Sequence, residues 1–269
     1  ETTCPSGVEY GKLVDIGRLS DLAYVKDGGT HIAVGALTRH AAVASDALLA
    51  EHCPIVSYTA GQIGDPQVRH RGTLGGTLSH GDPASDMPAV MLALGADLVA
   101  RGKGGERVMP AAEFFTGVFE TALAPDEVLV EARVPKLGAS TGWAYLKANR
   151  RAQDWATVGV AALVHRDNGS VAGASIGLVN MGATPLRATA AEAALTSPDA
   201  VDDAAARIAD GTEPPGDISA SPEFRAWWQE YPVNEFRPAT IGLSHPAAGE
   251  LDLQLHQLRM VEDPDLLLV

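Results

Sequence analysis

Two adjacent glycines, Gly75 and Gly76, lie between Thr73 and Thr77 in a stretch rich in Gly, Asp, Pro and His. Glycine accepts positive φ angles and has no Cβ, so successive amide groups can turn towards one point. Such a concavity binds anions, and threonine hydroxyls can add donors. The pattern therefore favours a phosphate or diphosphate site, with Asp86 placed to accept hydrogen bonds from ribose hydroxyls, as acidic residues do in other dinucleotide folds.

The glycine pair has a second interpretation, because a Gly-Gly flanked by threonines is also common in ordinary turns. It matches neither the P-loop nor the spaced-glycine dinucleotide fingerprint, since no predicted strand leads into the glycines and no predicted helix follows them at once. A diphosphate site lined by amides therefore requires the amides of residues 73–77 to point into a cavity, and not at carbonyl groups of the chain itself.

A metal site is the alternative raised by His70, His80, Asp82 and Asp86, which lie close together in the sequence. Their spacing matches no standard ligand pattern, and metal ligation needs a fixed geometry with supporting hydrogen bonds. We expect no metal in this chain.

The length, charge and cysteine count of the chain exclude several classes of function. The chain has 269 residues, a net charge of −14 and an apolar content of 46%. This charge argues against nucleic acid as a partner, because phosphate backbones attract an excess of Lys and Arg. No apolar run is long enough for a membrane span and no signal peptide is recognised, so a cytoplasmic location is expected. The two cysteines, Cys4 and Cys53, are too few for an iron–sulfur cluster, which usually takes four.

The elements that must position the glycine pair lie on both sides of a long polar stretch. Gly64 to Ser85 is predicted to be neither helix nor strand, and such a loop is uncommon in a compact domain unless it has a function. Capping and turn signals predict a helix from the N-cap Thr38 to Leu49, and others over Pro54–Gln62 and Asp86–Leu94. Strands are predicted over Ala23–Lys26, His31–Val34, Asp97–Arg101, Glu106–Met109 and Glu127–Val134.

The pattern changes near residues 135–141, where we expect the boundary between two α+β lobes. Three longer strands are predicted beyond it, and Asp167-Asn168-Gly169 predicts a tight turn between the last two. Trp143 and Tyr145 alternate along the first strand, which favours packing roles for them, and a solvated lysine is the simplest interpretation of Lys147. The predicted elements are strands Trp143–Asn149, Thr157–His165 and Ser170–Val179, then helices Ala188–Leu195 and Val201–Ala209.

The segment from Ala60 to Gly95, AGQIGDPQVRHRGTLGGTLSHGDPASDMPAVMLALG, resembles the second FAD loop of the flavoprotein subunits of carbon monoxide dehydrogenase and xanthine dehydrogenase. The resemblance continues upstream in LVDIG (Leu13–Gly17), and downstream in EVLVEARVP (Glu127–Pro135) and YLKANRRAQDWA (Tyr145–Ala156). It covers most of the chain and fades after Arg225. The molybdenum hydroxylase flavoproteins are thus the family that this sequence resembles.

The resemblance implies an α+β fold in three parts. Residues 1–137 would form a two-lobed FAD-binding domain of the vanillyl-alcohol-oxidase type, and residues 138–225 a small α+β domain with an antiparallel sheet. We make no structural prediction for residues 226–269. Family members carry an earlier Gly-Gly loop that grips the other side of the diphosphate. None is found before Val14, so we expect an N-terminal lobe that is truncated or has a divergent N-terminus.

The resemblance also implies cofactor contacts. The second loop would line the diphosphate through Thr73, Leu74, Gly75, Gly76 and Thr77. Asp86 would hold the adenosine end or the ribityl chain. The remaining contacts would be Ile63, the backbone of Leu129, Lys147 at the flavin, and the ring of Trp155 beside the isoalloxazine.

These implied roles agree with the chemistry of the residues. A lysine near the flavin can stabilise its anionic reduced form, and an indole can stack on an aromatic ring system. Two positions depart from the family pattern, because His70 and Thr77 stand where asparagine is usual. Thr77 can still donate a hydrogen bond.

The function implied is that of an FAD subunit that transfers electrons. A large partner would oxidise the substrate at molybdenum, a small partner would carry [2Fe-2S] clusters, and FAD would pass the electrons to quinone, NAD or oxygen. The assembly would be a dimer of heterotrimers, and no residue of this chain would be catalytic. Two alternatives stay open: a free-standing FAD oxidoreductase of the same fold, and a non-catalytic assembly subunit that has lost FAD.

Overall fold

A computed structural model describes residues 14–151, 153–168, 170–217 and 220–226 with their side chains. Short strands and one further helical residue outside these ranges are described by their backbone. The chain divides into two compact units, Glu1–Gln229 and Glu230–Val269.

The first sheet has five antiparallel strands in the order β3-β4-β9-β5-β6. The strands predicted at Ala23–Lys26 and His31–Val34 are confirmed and pair as a hairpin, as do those predicted at Asp97–Arg101 and Glu106–Met109. The strands up to residue 137 are β1 (Thr2–Thr3), β2 (Glu9–Tyr10), β3 (Val25–Asp27), β4 (His31–Gly35), β5 (Asp97–Gly102), β6 (Gly105–Pro110), β7 (Phe115–Gly117), β8 (Glu120–Thr121) and β9 (Val128–Pro135).

Helices cover the region between β4 and β5. The helix predicted from Thr38 to Leu49 is interrupted at Asp46, whose side chain accepts a hydrogen bond from the Leu49 amide and caps the second segment. The helices are α1 (His40–Ser45), α2 (Ala47–His52), α3 (Pro54–Gly61), α4 (Pro66–Arg71), α5 (Leu74–His80), α6 (Asp86–Leu94) and α7 (Ala111–Phe114).

The prediction of a long irregular loop over Gly64–Ser85 is wrong, because α4 and α5 lie within it. Asp65 caps α4 by accepting from the Val68 amide at 2.8 Å, and Pro66 occupies the first turn. Thr73 caps α5 in the same way. Both caps are standard helix-start signals. The density of glycine in this stretch conceals them.

The second sheet is antiparallel, in the order β10-β11-β12-β13. Its first three strands confirm the three long strands that the sequence predicts, and Asn168 in the predicted turn has a φ of +48°. The elements are β10 (Thr141–Ala148), β11 (Val158–Asp167), β12 (Ser170–Val179), β13 (Leu186–Arg187), α8 (Thr189–Ala194), α9 (Val201–Ala206) and α10 (Pro222–Trp227).

Helix α6 joins the two halves of the first unit into one core. All nine of its residues are buried, as expected for a helix that is apolar on every side. It packs on β11 and β12, and on α3 and α5. The approach to β12 is close, since a Cβ on Gly177 would lie 2.1 Å from the Ala89 carbonyl oxygen. Gly95 ends the helix at a φ of +61°, as predicted.

The second unit contains two antiparallel strand pairs, in the region for which the sequence gives no prediction. They are β14 (Pro238–His245) with β15 (Gly249–His256), and β16 (Leu258–Met260) with β17 (Asp263–Leu268). Among the residues that the structure describes, no helix is long and apolar enough to cross a membrane.

Candidate functional site

The start of α5 is tied to the first sheet by its own amides. Leu74 donates to the Thr38 carbonyl at 3.0 Å, and Gly75 donates to the Ala36 carbonyl at 2.8 Å. A Cβ on Gly75 would lie 2.4 Å from the Cβ of Ala36. Gly75 is therefore needed for close packing beside β4, and not for a positive φ.

The next two amides are also engaged. Gly76 donates to the Thr73 hydroxyl at 3.1 Å, and Thr77 donates to the Thr73 carbonyl at 3.1 Å. Neither glycine of the pair has a positive φ, since both lie in α5. The amides of residues 74–77 are all bonded to acceptors of the chain itself, so the prediction that they converge on a diphosphate is wrong.

Two hydroxyls and an exposed piece of backbone remain available at the same place. Thr73 uses an oxygen lone pair for the cap, which leaves its proton free. The Thr77 oxygen lies 2.9 Å from Nε2 of His40. Gly76 is exposed, and a Cβ there would lie 2.7 Å from the Thr73 hydroxyl oxygen. An anion can therefore approach this surface through hydroxyl donors.

A buried charged cluster lies at the start of α6. Lys147 on β10 places Nζ 2.9 Å from Oδ2 of Asp86, and both side chains are 6% exposed. The hydroxyl of Tyr145, two residues earlier on the same strand face, donates to Oδ1. Lys147 also donates to the Gln62 carbonyl at 3.3 Å. Because the lysine has three N–H groups, one remains for another acceptor.

Burial dominates the electrostatics of this cluster. It raises the pKa of Asp86, while the Lys147 charge and the hydrogen bond from Tyr145 act in the opposite direction. Burial, together with the nearby Asp86, raises the pKa of Tyr145 well above its ordinary value. Tyr145 therefore stays a neutral hydrogen-bond donor.

The predicted site residues fall into three places. Leu129 is buried on β9. The carbonyl of its neighbour Val130 accepts from the Ala36 amide at 2.9 Å, and Ala36 contacts Gly75, so Leu129 lies near the start of α5. Ile63 is half-buried and follows Gln62, which places it with the charged cluster. Trp155 is 58% exposed beyond the end of β10.

Sequence reasoning missed two residues of this region. Tyr145 is interpreted as a packing residue, although its i, i+2 relation to Lys147 places both on one face of a strand. His40 is not singled out by the sequence, yet it is buried and its Nδ1 has no partner among the described residues. The sequence signal for His40 is absent, because its contact with Thr77 spans 37 positions.

The side chains present fit a flavin dinucleotide, although the amides do not contribute. Hydroxyl protons at Thr73 and Thr77 suit phosphate oxygens, the remaining N–H of Lys147 suits a flavin carbonyl, and the exposed indole of Trp155 suits a ring. Within the described residues, no three His, Cys, Asp or Glu side chains are grouped to hold a metal ion.

Two protein families match this chain in sequence. Residues 6–137 match the family described as the FAD binding domain in molybdopterin dehydrogenase. Residues 143–228 match the CO dehydrogenase flavoprotein C-terminal domain.

Individual relatives agree with these matches. The chain is 38% identical over 219 residues to the carbon monoxide dehydrogenase medium chain of Afipia carboxidovorans, covering 79% of this chain and 75% of the relative. It is 39% identical over 175 residues to that of Hydrogenophaga pseudoflava, covering 65% of this chain and 61% of the relative. The chain thus spans less than two thirds of the Hydrogenophaga medium chain.

The fold agrees as well. A solved structure of carbon monoxide dehydrogenase from Hydrogenophaga pseudoflava superposes with a TM-score of 0.77 at 39% identity, covering 80% of this chain and 77% of the other. Most of this chain therefore has a counterpart in a known structure.

Proposed function

This chain belongs to the family of FAD-binding medium subunits of molybdenum-containing, carbon monoxide dehydrogenase-type oxidoreductases, and we propose that it passes electrons from a partner's [2Fe-2S] clusters through FAD to an external acceptor. The acceptor is a quinone, NAD or oxygen. A large partner oxidises the substrate at molybdenum, a small one carries the clusters, and two such heterotrimers associate in the cytoplasm.

The cofactor supplies the redox chemistry, because FAD accepts electrons singly and releases them in pairs. The residues of this chain bind and orient it. Thr73 and Thr77 would donate hydroxyl protons to the diphosphate, with the backbone of Leu129 close to it, while Ile63 would contact the cofactor beside Lys147. Trp155 lies against the flavin ring. No acid or base of this chain has to transfer a proton to a substrate.

One observation carries the proposal: a lysine charge is held in a nearly dry position by a carboxylate. Lys147 is 6% exposed, so its charge acts through low-dielectric surroundings and is strong at short range. A cation held near the cofactor favours its negatively charged reduced form. Asp86 accepts from Tyr145 and Lys147 through one oxygen each. A carboxylate has further lone pairs, so the proposal keeps Asp86 as the residue that holds the adenosine end or the ribityl chain.

Titration of the purified, flavin-free protein with FAD tests the proposal. We expect saturable binding, with the visible absorption of a bound oxidised flavin. Gly76→Val should abolish it, because a branched side chain would cover the approach to the Thr73 and Thr77 hydroxyls. Gly104→Val is the control, since a Cβ at that turn glycine meets nothing within 4 Å. Retention of FAD by Gly76→Val would contradict the site assignment.

A further inference from the structure

His40 occupies an unusual position beneath the proposed diphosphate surface. Its ring is 1% exposed, and a Cβ on Gly72 would lie 2.8 Å from its Cδ2 atom. The His40 amide donates to the Gly72 carbonyl at 3.0 Å, which fixes the start of α1 against the segment that leads into α5. The ring is thus held between that segment and Thr77, with Nε2 2.9 Å from the Thr77 hydroxyl oxygen.

The ring is neutral, because burial lowers the pKa of His40 to about 4. A neutral imidazole carries one proton, on either Nδ1 or Nε2. Nδ1 is buried, and no group of the described residues pairs with it. A proton there would be a buried N–H without a partner, which is rarer and costs more than a bare acceptor nitrogen. The proton therefore belongs on Nε2.

This tautomer determines what the Thr77 hydroxyl can do. Nε2–H donates to the Thr77 oxygen, so the hydroxyl cannot direct its own proton at the ring. No acceptor among the described residues takes that proton, and Thr77 is half-buried at the surface of α5. The hydroxyl proton is left to point outward, towards the place where an anion would lie.

We propose that His40 is a positioning residue which, as the Nε2–H tautomer, orients the Thr77 hydroxyl to donate to a phosphate oxygen of FAD. The inference rests on the proposed function and adds a residue to it. A hydroxyl proton oriented in advance binds a charged oxygen without reorganisation, and hydrogen bonds to charged groups are the stronger kind.

Equilibrium titration of FAD into the flavin-free variants tests this role. His40→Leu should weaken FAD binding by about tenfold, while His40→Gln, whose amide can donate from nearly the position of Nε2, should restore most of the affinity. In a Thr77→Val background, His40→Leu should have no further effect. Val43→Ala, which truncates another buried residue of α1, is the control for general loosening of the helix and should leave affinity unchanged.

Nitrogen-15 NMR of the histidine rings provides an independent measurement. The His40 signals, identified by their loss in His40→Gln, should show a neutral ring protonated at Nε2. A proton on Nδ1, or an equal loss of affinity from His40→Leu with and without Thr77, would overturn the inference. Those results differ from failure of the proposed function, in which the unaltered protein would bind no FAD at all.

Discussion

Lys147 shows how one residue depends on its neighbours. Lys147 is only 6% exposed, and the burial of its charge is offset because Asp86 and the Gln62 carbonyl accept hydrogen bonds from its ammonium group. Burial raises the pKa of Asp86, and the Lys147 charge and the hydrogen bond from Tyr145 oppose that rise. The cluster is therefore a unit, and removing one member deprives a buried charged group of one of its partners.

Lys147→Met tests that dependence. We expect a loss of about 3 to 5 kcal/mol in the free energy of unfolding, because the Asp86 carboxylate would be buried without its cation. The reduction potential of bound flavin should become more negative. Urea unfolding and potentiometry are the measurements. Lys103→Met, at an exposed turn lysine, should change neither quantity, and unchanged stability in Lys147→Met would contradict the interpretation.

His40 gives a prediction of pH dependence. Its pKa in the folded protein, about 4, lies below the ordinary 6.5. The unfolded chain therefore binds more protons between these values, so the contribution to stability is present above pH 6.5 and is lost as the pH falls towards 4. Between pH 7 and pH 5 the unaltered protein should lose about 2 kcal/mol more stability than His40→Gln. Equal losses in urea unfolding at the two pH values would refute this.

Sequence predicts the individual site residues unevenly. Asp86 and Lys147 are predicted through the family resemblance, and the structure brings them into contact. The pairing itself is not predictable from spacing, because 61 positions separate the two residues. His40 has no motif, and its role depends on the ring being buried beside Thr77. The assignment of all these residues to FAD stays a prediction.

Among the helices, α5 shows a strong local start signal next to residues that disfavour a helix. Thr73 is a good N-cap residue, and its side chain accepts from the amide three residues later. Glycine lowers helix propensity, so Gly75 and Gly76 favour an irregular interpretation. Close packing against Ala36 requires glycine at position 75 regardless of propensity, and tertiary contact therefore decides the local structure.

The contact between α6 and β12 can be tested by substitution. Gly177→Ala should destabilise the protein by more than about 2 kcal/mol, because the added methyl group would collide with the backbone of Ala89, which has no room to move in a close-packed core. Gly173→Ala, on the same strand with nothing within 4 Å of its Cβ, should be nearly neutral. Thermal unfolding of both variants is the measurement, and equal melting temperatures would disprove the packing argument.

The sequence pattern predicts the boundary between the two α+β lobes only approximately. Turn and strand signals indicate a change near residues 135–141, and the two matched families cover 6–137 and 143–228. The structure nevertheless gives residues on both sides one shared core, in which Tyr145 and Leu163 pack with α6. The placement of a domain boundary at residues 137–138 stays a prediction.

Isolation of the chain from its native source tests the proposed assembly. We expect it to purify with a larger and a smaller subunit, together with molybdenum, iron and FAD, because the two cysteines of this chain cannot supply a four-cysteine cluster. Mass spectrometry of the intact assembly and metal analysis are the measurements. A chain that purifies alone, with FAD and with its own turnover, would favour the free-standing oxidoreductase instead.

The close packing of α6 against the second sheet limits which segments related subunits can exchange by recombination. A hybrid that joined the first 137 residues of this chain to the C-terminal region of a relative would inherit Asp86 and Ala89 from one parent. It would take the positions of Lys147 and Gly177 from the other. Both contacts must match. Recombination between diverged genes should therefore succeed only when the second parent supplies a cationic residue at position 147 and a glycine at position 177.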